Sequence, residues 1–210
     1  MAEMLTVPLR FRDDGPVAPP PPPLVMVRCF AALPIAESAR ASLERVLAPL
    51  RDLPWPVRWV RPEGVHVTLR FYGEVPRERA DAIIESLDFA VAGIGAISLA
   101  FAGFGAFPAQ DRPRVLWAGI EAPSTLEILQ DRIETRAEAL GFASEGVIFR
   151  PHVTIGRVRE GERIVRAEAA RLFATPLADQ FLADEVVLYE SVPGPGGAVY
   201  TPLHQAGLRG

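Results

Sequence analysis

Between Val65 and Tyr72 the chain alternates, with Val65, Val67, Leu69 and Phe71 apolar and His66, Thr68 and Arg70 polar between them. A period of two predicts a strand with one face in a core, and it places His66 and Thr68 on the opposite, polar face. The same rhythm returns at His152-Val153-Thr154-Ile155, inside a stretch from Phe149 to Val158 that also reads as a strand. In each copy the imidazole and the hydroxyl point the same way, and a slip of one residue would bury the histidine.

The pattern around these strands alternates in type. Leu24 to Leu33 is a nearly continuous apolar run closed by Pro34, which predicts a buried strand. Leu43, Val46, Leu47 and Leu50 then recur at helical spacing, as do Ala80, Ile83, Ile84 and Leu87. Further strands are expected at Ile97 to Phe101 and Arg114 to Glu121. Ser124 and Glu127 have the spacing of a capping box before a helix whose apolar face is Leu126, Leu129, Ile133, Ala137 and Leu140, with Gly141 placed to end it. A short helix near Val165 to Phe173 follows the second histidine strand. A closing hairpin is expected from Phe181 to Ser191 and Ala198 to His204, turning through Gly194-Pro195-Gly196-Gly197. Each half thus holds a strand, a helix and a histidine strand, which predicts a duplicated unit. Packed about a pseudo-twofold axis, the two His-Thr pairs would face one cleft.

Composition narrows the chemistry. Five consecutive prolines, Pro19 to Pro23, make residues 1–23 an extended, disordered arm, so that one domain of two pseudo-symmetric lobes spans 24–210. The commoner role of such a run is a linker or tail rather than a ligand for a proline-recognising module. No segment has the length and apolarity of a membrane span or the layout of a secretory signal, so a cytoplasmic location is expected. Cys29 is the single cysteine, which excludes an internal disulfide and a cysteine-rich zinc site and suits a small buried hydrophobe. A net charge of −4 argues against a broad grip on duplex nucleic acid but leaves room for a local basic pocket. All 22 cationic residues are arginine, so neither a Walker loop nor a lysine nucleophile can exist.

Two imidazoles on one cleft can hold opposite protonation states and act as general base and general acid. In-line displacement at a phosphodiester requires that pair. Thr68 and Thr154 would donate to the non-bridging oxygens, and arginine would supply the remaining positive charge. Arg157 is the leading candidate, with Arg28, Arg70, Arg114 and Arg150 behind it; for Arg28, Arg61, Arg70 and Arg150 a solvated or ion-paired surface role is at least as common as a ligand role. Arg157 lies five residues after His152, the wrong parity for the cleft face unless the strand bulges near Gly156. A lone strand histidine is more often structural than catalytic, and a strand threonine is often only a good strand former. Two matched copies among three histidines favour a shared site. Trp59 and Trp117 suit packing, and His204 suits the surface.

These residues resemble the two-histidine phosphoesterase superfamily, and within it the RNA 2',3'-cyclic phosphodiesterases also known as 2'-5' RNA ligases. The likeness runs from Val27-Arg28-Cys29-Phe30-Ala31-Ala32-Leu33-Pro34, through Trp59 to Thr68 and Arg114 to Trp117, to Phe149 to Arg157 and the tail from Tyr189 to Tyr200. It implies an α+β fold, bilobal and duplicated, with two antiparallel sheets around a central cleft and helices outside. It implies hydrolysis of RNA 2',3'-cyclic phosphate 3' termini to 2'-phosphomonoesters with no metal and no cofactor, and the reverse 2'-5' ligation. By the same likeness His152 is the base, His66 the acid, Arg157 a phosphate ligand and Phe30 a stacking surface for the terminal base. Cys29 stands where family members often carry a larger apolar residue. A monomer is expected.

Three other readings compete. A metal hydrolase would need His66, His152 and His204 as ligands, yet each motif puts threonine where a second ligand belongs. An RNA-end binding module would keep the cleft without turnover. A phosphodiesterase of the same chemistry would act on small cyclic nucleotides or ADP-ribose cyclic phosphate.

Overall fold

The computed structural model describes residues 24–194 and 197–210. The arm expected over residues 1–23, and Pro195 and Gly196 of the expected turn, lie outside the described residues. The chain runs β1 (Met26–Pro34), α1 (Glu37–Arg51), β2 (Val57–Trp59), a 3-10 turn (Pro62–Gly64), β3 (His66–Pro76), α2 (Arg77–Val91), β4 (Ile97–Phe107) and β5 (Val115–Glu121), then α3 (Ser124–Ala139), β6 (His152–Val158), α4 (Arg166–Ala174), β7 (Gln180–Ala183), β8 (Glu185–Val192) and β9 (Val199–Gly207).

Every registered strand pair is antiparallel. The order β7-β4-β5-β6-β3-β1-β8-β9 divides into two four-stranded halves, each with its histidine strand at the inner edge, and the pair Val67↔Val153 joins them into one curled sheet. The expected strand-helix-histidine strand unit is present twice, as β1-α1-β3 and β5-α3-β6. The halves are interleaved in sequence, because β4 pairs into the second half while β8 and β9 return to the first. The edge of β6 facing β3 is shared with β2, which pairs at Arg58↔Arg157. The two halves separate there and open the cleft.

Local sequence explains most boundaries. Leu43, Leu47 and Leu50 of α1 and Leu126, Leu129, Ile133 and Ala137 of α3 are the buried stripes that the periodicity predicts. Helix α3 ends in a Schellman arrangement: the Phe142 N–H donates to the Ala137 carbonyl (3.0 Å) and the Gly141 N–H to the Glu138 carbonyl (2.8 Å). Gly141 takes the positive φ of 84° that this turn requires. Two of the expected local features differ in kind from the structure. Ser124 is the first helical residue and Pro123 the cap, with no side-chain capping bond, so the capping box does not form. The segment expected as one strand over Phe181 to Ser191 is two, since the chain leaves β4 after β7 and crosses at Asp184 to pair with β1 and β9. No helix among the described residues is long and apolar enough to cross a membrane.

Candidate active site

The junction of β3 and β6 builds the site. Val67 and Val153 are fully buried beneath it, which turns His66, Thr68, His152 and Thr154 onto the opposite face. One step either side of this pair, the antiparallel register sets His66 across from Thr154 and Thr68 across from His152. The histidines then occupy diagonal corners, a separation of about 7–8 Å between regular strands. Cross-strand adjacency thus joins residues that are far apart in the chain.

Both histidine strands carry the same irregularity. On β3, Thr68 pairs with Ala32 and Arg70 with Ala31, leaving Leu69 as an extra residue; on β6, Thr154 pairs with Trp117 and Gly156 with Leu116, leaving Ile155 extra. A bulge of one residue restores the cleft face to the third position after each threonine. Arg157 therefore lies on the cleft face, as the expected bulge near Gly156 requires. Phe71 is 52% exposed and Arg70 only 2%, the reverse of the simple alternation. Arg70 is consequently no phosphate ligand. It is buried against Glu134 and donates to the Ala143 carbonyl at 2.5 Å.

Gly156 makes the second bulge fit. A Cβ there would lie 2.6 Å from Val57 Cγ1 and 3.2 Å from Trp59. Gly156→Ala should lose about 1–3 kcal/mol by overpacking, read as a Tm several degrees lower. An unchanged Tm would contradict this close approach of β2 to β6.

The two imidazoles are held alike. His66 Nδ1 lies 2.9 Å from the Gly64 carbonyl and His152 Nδ1 2.7 Å from the Arg150 carbonyl. A carbonyl only accepts, so Nδ1 carries the hydrogen in both rings and Nε2 is left for chemistry. Phe30 lies 4.7 Å from the His66 ring and Tyr200 meets it edge-on at 5.1 Å, while Phe107 meets His152 edge-on at 5.1 Å. Burial pushes the His66 pKa from 6.5 down to about 4; the bond to Gly64 opposes this, and the charge of His152 adds to it. His66 is therefore neutral in the folded protein at neutral pH.

This shift has a measurable sign. Between about pH 4 and 6.5 the unfolded chain protonates His66 while the folded protein leaves it neutral. Stability contributed by this group is fully present above pH 6.5 and falls as the pH drops to about 4, by about 3 kcal/mol in total. Urea unfolding of wild type and His66→Gln across that range should show the mutant with the shallower pH dependence. Parallel curves would contradict the buried neutral imidazole.

Two concavities meet at the centre, with Thr68 and Phe71 lining both. One, of about 770 Å³, is lined by His66 and Thr154 and carries Arg28, Arg58, Arg61 and Arg157. The other, of about 680 Å³, is largely apolar, walled by Phe107, Val147, Ile148 and Phe149 beside His152. Phe30 reaches the first, yet it is 2% exposed beneath Tyr189, Tyr200, Phe71 and His66, so its ring has no open face for stacking. Arg150 lines the apolar concavity, and Arg114 instead bonds the Glu162 carbonyl at 3.2 Å. Trp117 packs over Gly105, where a Cβ would stand 2.2 Å from its ring. Cys29 is buried, and His204 bonds Asp88 at 2.7 Å, tying β9 to α2 away from the cleft. Among the described residues no three His, Cys, Asp or Glu side chains are grouped to hold a metal. Sequence reasoning missed Phe71, hidden by the bulge, and Arg58, whose only signal was a short Val57-Arg58-Trp59 alternation.

Comparison with known proteins agrees with this architecture. A family profile for the LigT-like phosphoesterases matches residues 33–117, a range that includes the first motif. An RNA 2',3'-cyclic phosphodiesterase of Archaeoglobus fulgidus is 30% identical over 84% of this chain and 98% of its own length. One of Geobacillus stearothermophilus is 32% identical over 77% of this chain, which spans about half (51%) of that relative. The crystal structure of TT0787 of Thermus thermophilus superposes with a TM-score of 0.73 at 26% identity, covering 87% of this chain and 98% of that one. Sequence and fold agree along nearly the whole chain, and this protein belongs to the LigT-like phosphoesterase family.

Proposed function

We propose that this protein hydrolyses RNA 2',3'-cyclic phosphate termini to 2'-phosphomonoesters, using His66 and His152 as its acid-base pair and no metal. The observation that carries the reading is the juxtaposition of His66, Thr68, His152 and Thr154 on one face, with both imidazoles locked in the same tautomer. Relatives named RNA 2',3'-cyclic phosphodiesterase support the reaction class.

The cyclic phosphate sits over the junction. Thr68 and Thr154 donate to its non-bridging oxygens, and Arg157 supplies a charged, bidentate contact. Water attacks phosphorus as one Nε2 takes its proton; the bond from phosphorus to the 3' oxygen breaks, and the other Nε2–H protonates that oxygen. The product carries a 2'-phosphate and a free 3' hydroxyl. In the order implied by the resemblance, His152 is the base and His66 the acid. His66 is neutral in the free protein at pH 7, so that order needs the bound phosphate to raise its pKa. The same groups with exchanged roles serve the reverse 2'-5' ligation. The terminal base stacks on Phe71, the exposed aromatic at the meeting of the two concavities, while Phe30 backs the His66 ring. The reading places the enzyme in the cytoplasm as a monomer.

The deciding experiment is hydrolysis of a short RNA ending in a 2',3'-cyclic phosphate with excess chelator present. A 2'-phosphate product at undiminished rate is expected. Loss of activity in chelator would overturn metal independence, and tight binding of the RNA without turnover would favour the RNA-end binding module.

A further inference from the structure

Resting on that reading, we propose that Arg58 and Arg61, beside Arg157, form a binding track for the phosphodiester backbone of the RNA strand preceding the cyclic end. The substrate is then an oligonucleotide terminus in preference to a free cyclic mononucleotide.

The argument starts from a conflict of charge. Arg58 and Arg157 are direct cross-strand partners on β2 and β6, and both are exposed. Like charges directly opposite one another destabilise a strand pair. Arg51 and Arg77, by contrast, lie beside the carboxylates of Glu44 and Glu190. Among the described residues none of Arg58, Arg61 and Arg157 is in an ion pair. Four arginines and a single carboxylate, Glu63, line this concavity in a chain whose net charge is −4. An anion bound between the strands relieves the repulsion and turns the wall into a focused positive field.

More than one phosphate is needed to satisfy it. Arg157 lines the same concavity as Thr154 and serves the cyclic phosphate, which leaves Arg58 and Arg61 unoccupied by a mononucleotide lacking a 5' phosphate. Arg28, the fourth arginine, lies opposite Glu74 on β3, so its charge is partly offset and the track rests on Arg58 and Arg61. The apolar concavity lies on the other side of Thr68 and Phe71 and takes the terminal base. The remaining exit for the strand runs across the arginines.

The test compares kcat/KM for a nucleoside 2',3'-cyclic phosphate without a 5' phosphate against a trinucleotide ending in the same nucleoside cyclic phosphate. Wild type should favour the trinucleotide by about tenfold or more, with the advantage shrinking as salt rises. Arg58→Gln and Arg61→Gln should each lower the trinucleotide-to-mononucleotide ratio. Each should also flatten the salt slope of the trinucleotide reaction by about 0.7, the single-strand value per phosphate contact. The ratio within one variant is independent of how much protein folded. Equal efficiencies on both substrates in wild type, or an unchanged ratio in both variants, would overturn the track and leave the hydrolase reading intact. A wild type inert on both substrates would overturn both.

Discussion

Replacing either His66 or His152 with alanine should lower kcat on a cyclic-phosphate RNA by about 10²- to 10⁴-fold, the usual contribution of a positioned acid or base. Both rings stand on the cleft face above a core that is complete without them, Val67 and Val153 being fully buried below. Near-native circular dichroism and a cooperative melt are therefore expected in each variant at neutral pH. The double variant should be little worse than either single one, because acid and base act in one step and half a pair does little. Thr68→Ala or Thr154→Ala removes one hydrogen bond to the transition state and should cost about 10²- to 10³-fold. Full activity in either histidine variant, measured on protein shown to be folded, would remove that imidazole from the mechanism.

The largest effect on stability should come from Glu134. Its carboxylate is the counter-charge of Arg70, whose side chain is 2% exposed, and it also accepts from Ser144 Oγ at 3.1 Å and the Glu145 N–H at 2.9 Å. These bonds hold its carboxyl below the usual range even though burial pushes the other way. Glu145 in turn accepts from the Phe71 N–H at 3.1 Å, so one network ties α3 and the turn after it to the bulged part of β3. Glu134→Ala would leave a buried guanidinium with only a carbonyl partner, and removing one member of a buried pair costs about 3–5 kcal/mol. Urea unfolding should report that loss. Replacing both partners with apolar residues, as in Arg70→Met with Glu134→Leu, should recover most of it, because no unpaired charge is then buried. A loss under about 1 kcal/mol in Glu134→Ala would mean that Arg70 finds water or another partner.

The alternation around His66 and His152 was enough to place four polar side chains on strand faces, and the helical stripes were enough to place α1, α2 and α3. Those features depend on residues close in sequence, where period and side-chain direction are coupled. The repeat also carried the expectation of two related halves and a common site. What alternation could not carry was the role of Arg70 and Phe71, because a bulge inserts one residue relative to a partner strand and reverses every later side chain. For Arg157 the glycine before it was a local hint; for Phe71 there was none.

Hydrophobic periodicity, turn residues and the doubled His-x-Thr determined, from the sequence alone, the element types, the histidine faces and the acid-base chemistry they suit. Only the tertiary structure decided that β3 and β6 are neighbours, that each bulges after its threonine, and that β2 sets Arg58 against Arg157. The physical reason is that strand pairing is a contact between distant segments. Its register is chosen by burial of Val67 on Val153 and by the space at Gly156, quantities that exist only once the chain has closed on itself.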